Sequence, residues 1–127
     1  MDKIKRNEEL LERLIRFSQK IVSICRKLPY NPVNLRIIPQ VTASSGSMAA
    51  NYAESCGAES AADFIHKIRL VKKEAKETRV HLRILYTANP YFKNEILGLG
   101  KESAEYIKIF YTIDKRCQES KARLKKS

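Results

Sequence analysis

The segment between Ile37 and Ala58 carries a single charged residue, Glu54, in a chain in which 31% of the residues are charged. Most of its other side chains are small, and small side chains on a helix surface allow a second helix to approach closely. A helix without a charged face is usually buried on most of its sides. Since a chain of 127 residues has little room for such a helix inside its own core, the segment predicts contact with another subunit.

Three polar residues of this segment, Ser47, Asn51 and Glu54, follow one another at spacings of four and three, which places them on one helical face. A polar group held in a packed surface needs a hydrogen-bonding partner. The trio therefore has two interpretations, a structural motif that caps or bridges neighbouring helices, or a catalytic site. Because no nucleophile–base pair accompanies these residues in the sequence, the structural motif is favoured.

Apolar residues recur at spacings of three and four in four parts of the chain, as on the buried face of a helix. The pattern is strongest in the third part, where it lasts from Ala61 to Leu85 and predicts the central seam of a bundle. Ser60 with Asp63 forms a variant of the capping box at the start of this helix. The predicted helices span residues 7–27, 38–56, 60–88 and 93–123.

Proline and glycine residues set the predicted helix ends. Pro32, with the proline three residues before it, cannot continue the first helix, and Pro39 suits the first turn of the second. Gly57 suits a left-handed stop at the end of that helix. Gly100, with a second glycine two residues earlier, weakens the start of the fourth helix, so regular helix is predicted only after it. The basic tail 121–127 is predicted to fray.

No run of alternating β-branched residues predicts a strand. The sequence therefore predicts an all-α protein, and the short connections between the helices predict antiparallel neighbours. The expected fold is an up-down antiparallel four-helix bundle that forms a single domain over residues 1–127.

The chain is strongly basic, with 25 Lys and Arg residues against 14 Asp and Glu residues and a net charge of +11. Five cations form a row beside the apolar seam of the third helix: Arg69, Lys72, Lys76, Arg79 and Arg83. A second row, on the first helix, consists of Arg13, Arg16, Lys20 and Lys27. Aligned like charges repel each other and favour an anionic partner, so both rows are candidates for sequence-nonspecific contact with the phosphate backbone of RNA or DNA. The alternative is that the rows are solvated and serve solubility.

Residues that usually bind metals or carry out catalysis are sparse. His66 and His81 lack the Glu-x-x-His spacing of metal-binding bundles, so no metal, cofactor or enzymatic activity is predicted. Cys25, Cys56 and Cys117 lack C-x-x-C spacing and are predicted to be small buried hydrophobic residues, reduced in a cytoplasmic protein. No apolar run approaches the ~18 residues of a membrane span, and the N-terminus lacks the apolar stretch of a secretory leader.

A pattern of eight residues extends from the second helix into the third: Gln40, Ser47, Ala50, Asn51, Ala53, Glu54, Ser60 and Phe64. Together with Glu77-Thr78 in the third helix, it resembles the 23S ribosomal RNA intervening-sequence proteins, a family of small four-helix bundles once described as ribosomal proteins. Ala49 and Ser55 replace the proline and glycine that are usual in the family. Thr42 and Ala43 stand where the family commonly has two arginines, which argues against a nucleic-acid role for the second helix.

The resemblance covers nearly the whole chain and implies a four-helix bundle that assembles into a homo-oligomeric ring, usually a homopentamer. A more distant relative in shape is the basic pentameric accessory protein of diversity-generating retroelements, which binds a reverse transcriptase and nucleic acid. The expected function is that of a nonenzymatic homo-oligomer that binds RNA, DNA or a nucleic-acid enzyme such as a reverse transcriptase. The alternative is a structural or protein-interaction module with no nucleic-acid role.

Overall fold

Four α-helices and one short 3-10 turn make up the computed structural model, which describes the backbone of residues 2–126 and the side chains of residues 2–125. The helices are α1 (Lys3–Cys25), α2 (Pro32–Cys56), α3 (Ala61–Ala88) and α4 (Lys93–Lys126), and the 3-10 turn Pro90–Phe92 precedes α4. No strand occurs within the described residues. The all-α prediction is confirmed. Met1 and Ser127, the ends of the predicted domain, lie outside the described residues.

The start of α2 differs most from the prediction. Asn31 caps this helix, since its side-chain oxygen accepts a 2.8 Å hydrogen bond from the backbone N–H of Asn34, and Pro32 occupies the first helical position. The prediction that α2 begins at residue 38 is therefore wrong, and Pro39 lies inside the helix rather than in its first turn. A proline there donates no N–H to the carbonyl of Leu35. Leu35 is half exposed to solvent.

The end of α2 is reached without left-handed backbone. Gly57 has φ −105°, so the predicted left-handed stop is wrong. Instead, the N–H groups of Gly57 and Ala58 donate to the carbonyls of Glu54 and Ser55, at 3.1 and 3.2 Å, which tightens the last turn. The predicted cap of α3 is present, because the Ser60 hydroxyl accepts a 3.0 Å hydrogen bond from the backbone N–H of residue 63.

Helix α4 is regular from its first residue and passes through both of its glycines. The prediction of irregular structure before Gly100 is wrong because Ile96 and Leu99 are buried in the core, and tertiary packing outweighs the low helix propensity of glycine. The helix also continues through the described part of the basic tail, to Lys126, where fraying had been predicted.

The core is filled by apolar side chains from all four helices. The largest that are fully buried are Leu14, Phe17, Ile21, Val41, Met48, Ile68, Val71, Leu82, Leu85, Ile96, Tyr106 and Phe110. Edge-to-face contacts join Phe17 to Tyr106 and Tyr52 to Phe110, with ring centroids 5.1 and 5.6 Å apart. The heptad seam of α3 is buried as predicted over its later part: Ile68, Val71, Ala75, Thr78, Leu82 and Leu85. The prediction is wrong for the start of the seam, where Ala61 is exposed and Phe64 is only partly buried.

Polar contacts between the helices define their neighbours. Helix α2 contacts α1 and α3, and α4 contacts α3 and α1. From one end of α1 to the other, the ion pairs to α4 are Arg13–Glu105, Lys20–Glu102 and Lys27–Glu95. The corresponding pairs between α2 and α3 are Asn34–Asn89, Ser44–Thr78 and Glu54–Lys67. In both sets, residue numbers rise along one helix as they fall along the other.

Candidate nucleic-acid interface

The five cations of the α3 row are not equivalent in the structure. Arg69 and Lys72, at the end near the start of the helix, contact α4. Lys76, Arg79 and Arg83 continue the row toward the other end of α3, and all three residues are exposed. The row therefore divides into an anchored pair and a free trio.

The anchor of the first pair is Asp114 on α4, which is only 3% exposed. Its carboxylate accepts hydrogen bonds from Arg69 Nε at 3.2 Å, Lys72 Nζ at 2.7 Å and Gln118 Nε2 at 3.2 Å. Burial raises the pKa of Asp114, but the hydrogen bonds from Lys72, Arg69 and Gln118 together hold that pKa below its usual range. Asp114 is therefore ionised near neutral pH, and it offsets part of the charge of the two cations.

The free trio of Lys76, Arg79 and Arg83 is called here the α3 cationic stripe. No described carboxylate forms an ion pair with any of its three side chains. Their spacings of three and four place them along one face of the helix. Three neighbouring, solvated cations that form no ion pair with a described carboxylate make the kind of surface that phosphate groups bind.

The cation row of α1 is largely neutralised by α4. Arg13 pairs with Glu105 at 3.3 Å and Lys20 pairs with Glu102 at 2.6 Å, while Lys27 reaches Glu95 at 3.8 Å. The predicted contacts Arg13, Arg16 and Lys20 line one cleft of about 420 Å³ together with two of these glutamates. Such exposed pairs add little stability, but they reduce the positive potential that an incoming phosphate would meet.

One glutamate of this cleft has a second role. Glu102 also accepts a hydrogen bond from the Tyr106 hydroxyl, which in turn lies 3.3 Å from the backbone carbonyl of Arg13. Burial and the Glu102 carboxylate raise the pKa of the Tyr106 phenol. Within the α1 row, only Arg16 has no described ion pair.

The polar trio of α2 is closer to solvent than its sequence context predicts. Asn51 Nδ2 donates a 2.9 Å hydrogen bond to the backbone carbonyl of Ser47, one turn earlier in the same helix. Glu54 bridges to Lys67 of α3 at 2.7 Å, and the Glu54 side chain is 57% exposed. In the single chain Glu54 thus joins α2 to α3 at the surface. The outward face of α2 leaves these groups and neighbouring alanines open to solvent.

Three residues in the buried polar contacts between α2 and α3, Asn34, Ser44 and Asn89, were not singled out by sequence reasoning. Asn34 and Asn89 exchange two amide hydrogen bonds of 2.8 Å each. The hydroxyls of Ser44 and Thr78 lie 2.7 Å apart in the core. The position of Thr78 within the apolar seam was a signal of such a contact, whereas Asn34 was hidden because its segment was predicted to be a loop.

The cysteines only partly follow their prediction as buried residues. Cys25 is buried, and burial raises the pKa of its thiol to about 11. Cys117 is half-buried, and Cys56, on the last turn of α2, is exposed, so the prediction is wrong for Cys56. Within residues 2–125, no group of three His, Cys, Asp or Glu side chains is placed to hold a metal ion.

The fold and these surfaces define a basic, all-α four-helix bundle with an exposed cationic stripe. The chain belongs to the 23S rRNA-intervening sequence protein family, which its residues 6–112 match. The sequence-based resemblance to this family is thereby confirmed. None of the described helices has the length and apolar character needed to span a membrane.

Comparison with solved structures gives the same result. The chain is similar to a protein of unknown function from the S23 ribosomal protein family of Bacteroides thetaiotaomicron VPI-5482. The two structures superpose with a TM-score of 0.73 at 27% sequence identity, over 86% of this chain and 97% of that chain. A comparison with curated proteins gave no match. Neither the family description nor that of the similar structure names an enzymatic activity.

Proposed function

We propose that this protein is a nonenzymatic, homo-oligomeric four-helix bundle that binds the phosphate backbone of RNA or DNA through the α3 cationic stripe. The observation that carries the proposal is the difference between the two cation rows. Helix α4 supplies carboxylates to Arg13, Lys20 and Lys27 of α1, but it supplies none to Lys76, Arg79 and Arg83.

The chemistry of the stripe favours backbone contact over base recognition. Arginine donates from a planar fork that matches a phosphate group, and lysine adds a point charge. The sequence carries no groove-reading motif, so the expected binding is sequence-nonspecific. The family description refers to 23S rRNA, which makes RNA the first ligand to test. Arg69 and Lys72 flank the stripe and add to its potential, although Asp114 offsets part of their charge.

The alternative function is a structural or protein-interaction module, whose partner includes a nucleic-acid enzyme such as a reverse transcriptase. One observation favours it. The pairing of Arg69 and Lys72 with Asp114 shows that cations of this row also serve the packing of α3 against α4. Under this alternative, the remaining cations only keep the protein soluble.

The assembly belongs to the same proposal. The reversed order of contacts between neighbouring helices supports an up-down antiparallel bundle, one domain over residues 1–127. The outward face of α2 exposes Ala43, Ala50 and Ala53, and covering this face requires a second subunit. The structural motif of Ser47, Asn51 and Glu54 lies on the same side and would then be buried between subunits. The resemblance to the family makes a pentameric ring the expected closed form.

Light scattering at micromolar concentration is expected to give the mass of a closed homo-oligomer, with a pentamer as the expected state. Replacing Ala50 with glutamate places a charge in the middle of the uncharged α2 face and is expected to reduce that mass. Lys108→Glu on the exposed side of α4 serves as the control. A wild-type protein that stays monomeric would contradict the assembly.

Reversing the α3 cationic stripe to glutamate (K76E, R79E and R83E together) is expected to abolish most nucleic-acid binding while the fold remains, because all three residues are exposed. The logarithm of the wild-type affinity should fall with the logarithm of salt concentration by about 0.7–0.9 per phosphate neutralised. The variant should lose about one such contact per residue. Fluorescence anisotropy with labelled RNA and duplex DNA between about 50 and 200 mM salt measures both quantities.

The control variant replaces three exposed arginines elsewhere, Arg6, Arg26 and Arg36, with glutamate. Its net charge therefore changes by the same amount as in the stripe variant. Equal losses in the two triple variants would show that net charge alone governs binding. If wild type does not bind either nucleic acid at about 50 mM salt, where backbone contacts are strongest, the protein-interaction module is the correct function.

A further inference from the structure

An apolar groove of about 670 Å³ lies where the first turns of α3 meet the last turns of α4, outside the α3 cationic stripe. Its floor and walls include Phe64 and Ile65 from α3, and Ile113 and Leu124 from α4. Phe64 and Ile113 also pack against the core, so the groove is continuous with the interior of the bundle. We refer to it as the α3–α4 groove.

The outer part of the groove is formed by Leu124, near the end of α4. This residue is 76% exposed. On the facing helix, Ala61 and Ala62 line the groove with small side chains, which let another backbone approach closely. A trough between two helices with small residues on one wall has the shape that accepts a third helix.

The charges at the groove identify its occupant. Among the residues whose side chains the structure describes, Arg116 and Lys121 are the charged ones that line the groove, and both are exposed. No described carboxylate lines the groove or forms an ion pair with either cation. A second copy packed through the same groove by twofold symmetry would bring two Arg116 and two Lys121 side chains together without carboxylates between them, and contact with a different face of a second copy is one outcome of the test below. Nucleic acid would match the cations but would leave the apolar floor uncovered.

We infer that the α3–α4 groove binds an acidic amphipathic helix of another protein. Apolar residues of that helix, spaced at i, i+3, i+4 and i+7, fill the floor around Phe64, Ile65 and Leu124. Its Asp and Glu side chains pair with Arg116 and Lys121 at the rim. Because no residue of the α3 cationic stripe lines the groove, this site is independent of the proposed nucleic-acid contact.

The test uses two labelled designed helical peptides with the same leucine positions, one carrying glutamate at its polar positions and one carrying lysine. Fluorescence anisotropy with the full chain is expected to show binding of the acidic peptide and little binding of the basic peptide. Leu124→Asp is expected to lower the affinity for the acidic peptide by about tenfold or more, because it removes apolar contact and its new carboxylate repels the glutamates of the peptide. Leu97→Asp, at an exposed leucine outside the groove, is the matched control and is expected to bind like wild type.

A charge swap makes the test specific for the rim. The double variant R116E/K121E is expected to stop binding the acidic peptide and to bind the basic peptide instead. The rim charges change sign in this variant, while the apolar floor stays unchanged. Equal binding of both peptides by wild type would overturn the inference, and so would a charge swap without a change of preference. A loss of oligomer mass in Leu124→Asp, measured by light scattering, would assign the groove to a second copy of this chain instead.

Discussion

Replacing Asn34 with leucine is expected to lower the free energy of unfolding by about 1–3 kcal/mol, since it leaves buried polar groups without partners. Asn34 and Asn89 are 1% and 2% exposed, and their amides exchange two hydrogen bonds. Asn34 Nδ2 also lies 2.8 Å from the Pro29 carbonyl, and Asn89 Nδ2 lies 2.9 Å from the Leu85 carbonyl. The pair thus joins the first turn of α2 to the end of α3.

A double-mutant cycle separates the amide pair from its surroundings. Asn89→Leu alone is expected to lower the free energy of unfolding by a similar amount. The double variant N34L/N89L should lower it by less than the sum of the two single changes, because two apolar groups can pack together where one apolar and one polar group cannot. Urea unfolding at one fixed protein concentration measures these free energies, since the stability of an oligomer depends on concentration.

The control for the cycle is Asn94→Leu, at an exposed asparagine of α4. This change is expected to alter the free energy of unfolding by no more than about 0.5 kcal/mol. Strict additivity of the Asn34 and Asn89 changes would show that the two amides do not act as a pair.

Asp114→Asn is expected to destabilise the bundle by about 1–3 kcal/mol at neutral pH, because it removes the buried charge that Arg69 and Lys72 share while keeping the volume of the side chain. The loss stays below that of a fully buried ion pair, since Arg69 is half exposed and its guanidinium can turn to water. Glu119→Gln, at an exposed carboxylate five residues after Asp114, is the control and is expected to have little effect.

The pH dependence follows from the direction of the pKa shift. The folded-state pKa of Asp114 lies below that of the unfolded chain, so its stabilising effect is present above the unfolded value of ~3.9. That effect decreases as the pH falls through the folded-state value, because protonation removes the charge. The difference in stability between wild type and Asp114→Asn should therefore shrink in acid. A difference that is constant from neutral pH to about pH 3 would contradict the assignment of the charge.

The same variant also bears on the proposed function. Without the Asp114 carboxylate, Arg69 and Lys72 keep their full charge next to the α3 cationic stripe. If phosphate groups bind this surface, Asp114→Asn should bind RNA more tightly than wild type and with a steeper salt dependence, although it is less stable. A gain in binding together with a loss of stability is the opposite of what partial unfolding would produce.

Local sequence patterns predicted the number and order of the helices and the buried seam of α3. These features depend on residues three and four apart, and such residues meet on one face of any helix. The cap at Ser60 was predictable for the same reason, because its partner is the backbone of residue 63. The start of α2 was missed because Pro39 was interpreted as a first-turn residue, although Asn31 and Pro32 form a complete start signal before it.

By itself, the sequence determined that the protein is all-α, strongly basic and related to the 23S rRNA-intervening sequence proteins, because composition and helical spacing are local properties. Only the tertiary structure decided which cations stay free. Both rows look alike in the sequence, but Arg13 meets Glu105 across 92 positions of the chain and Arg69 meets Asp114 across 45. Contacts over such separations depend on how α4 packs against its neighbours, which no local pattern encodes. That packing leaves the α3 cationic stripe without an ion pair to any described carboxylate of α4.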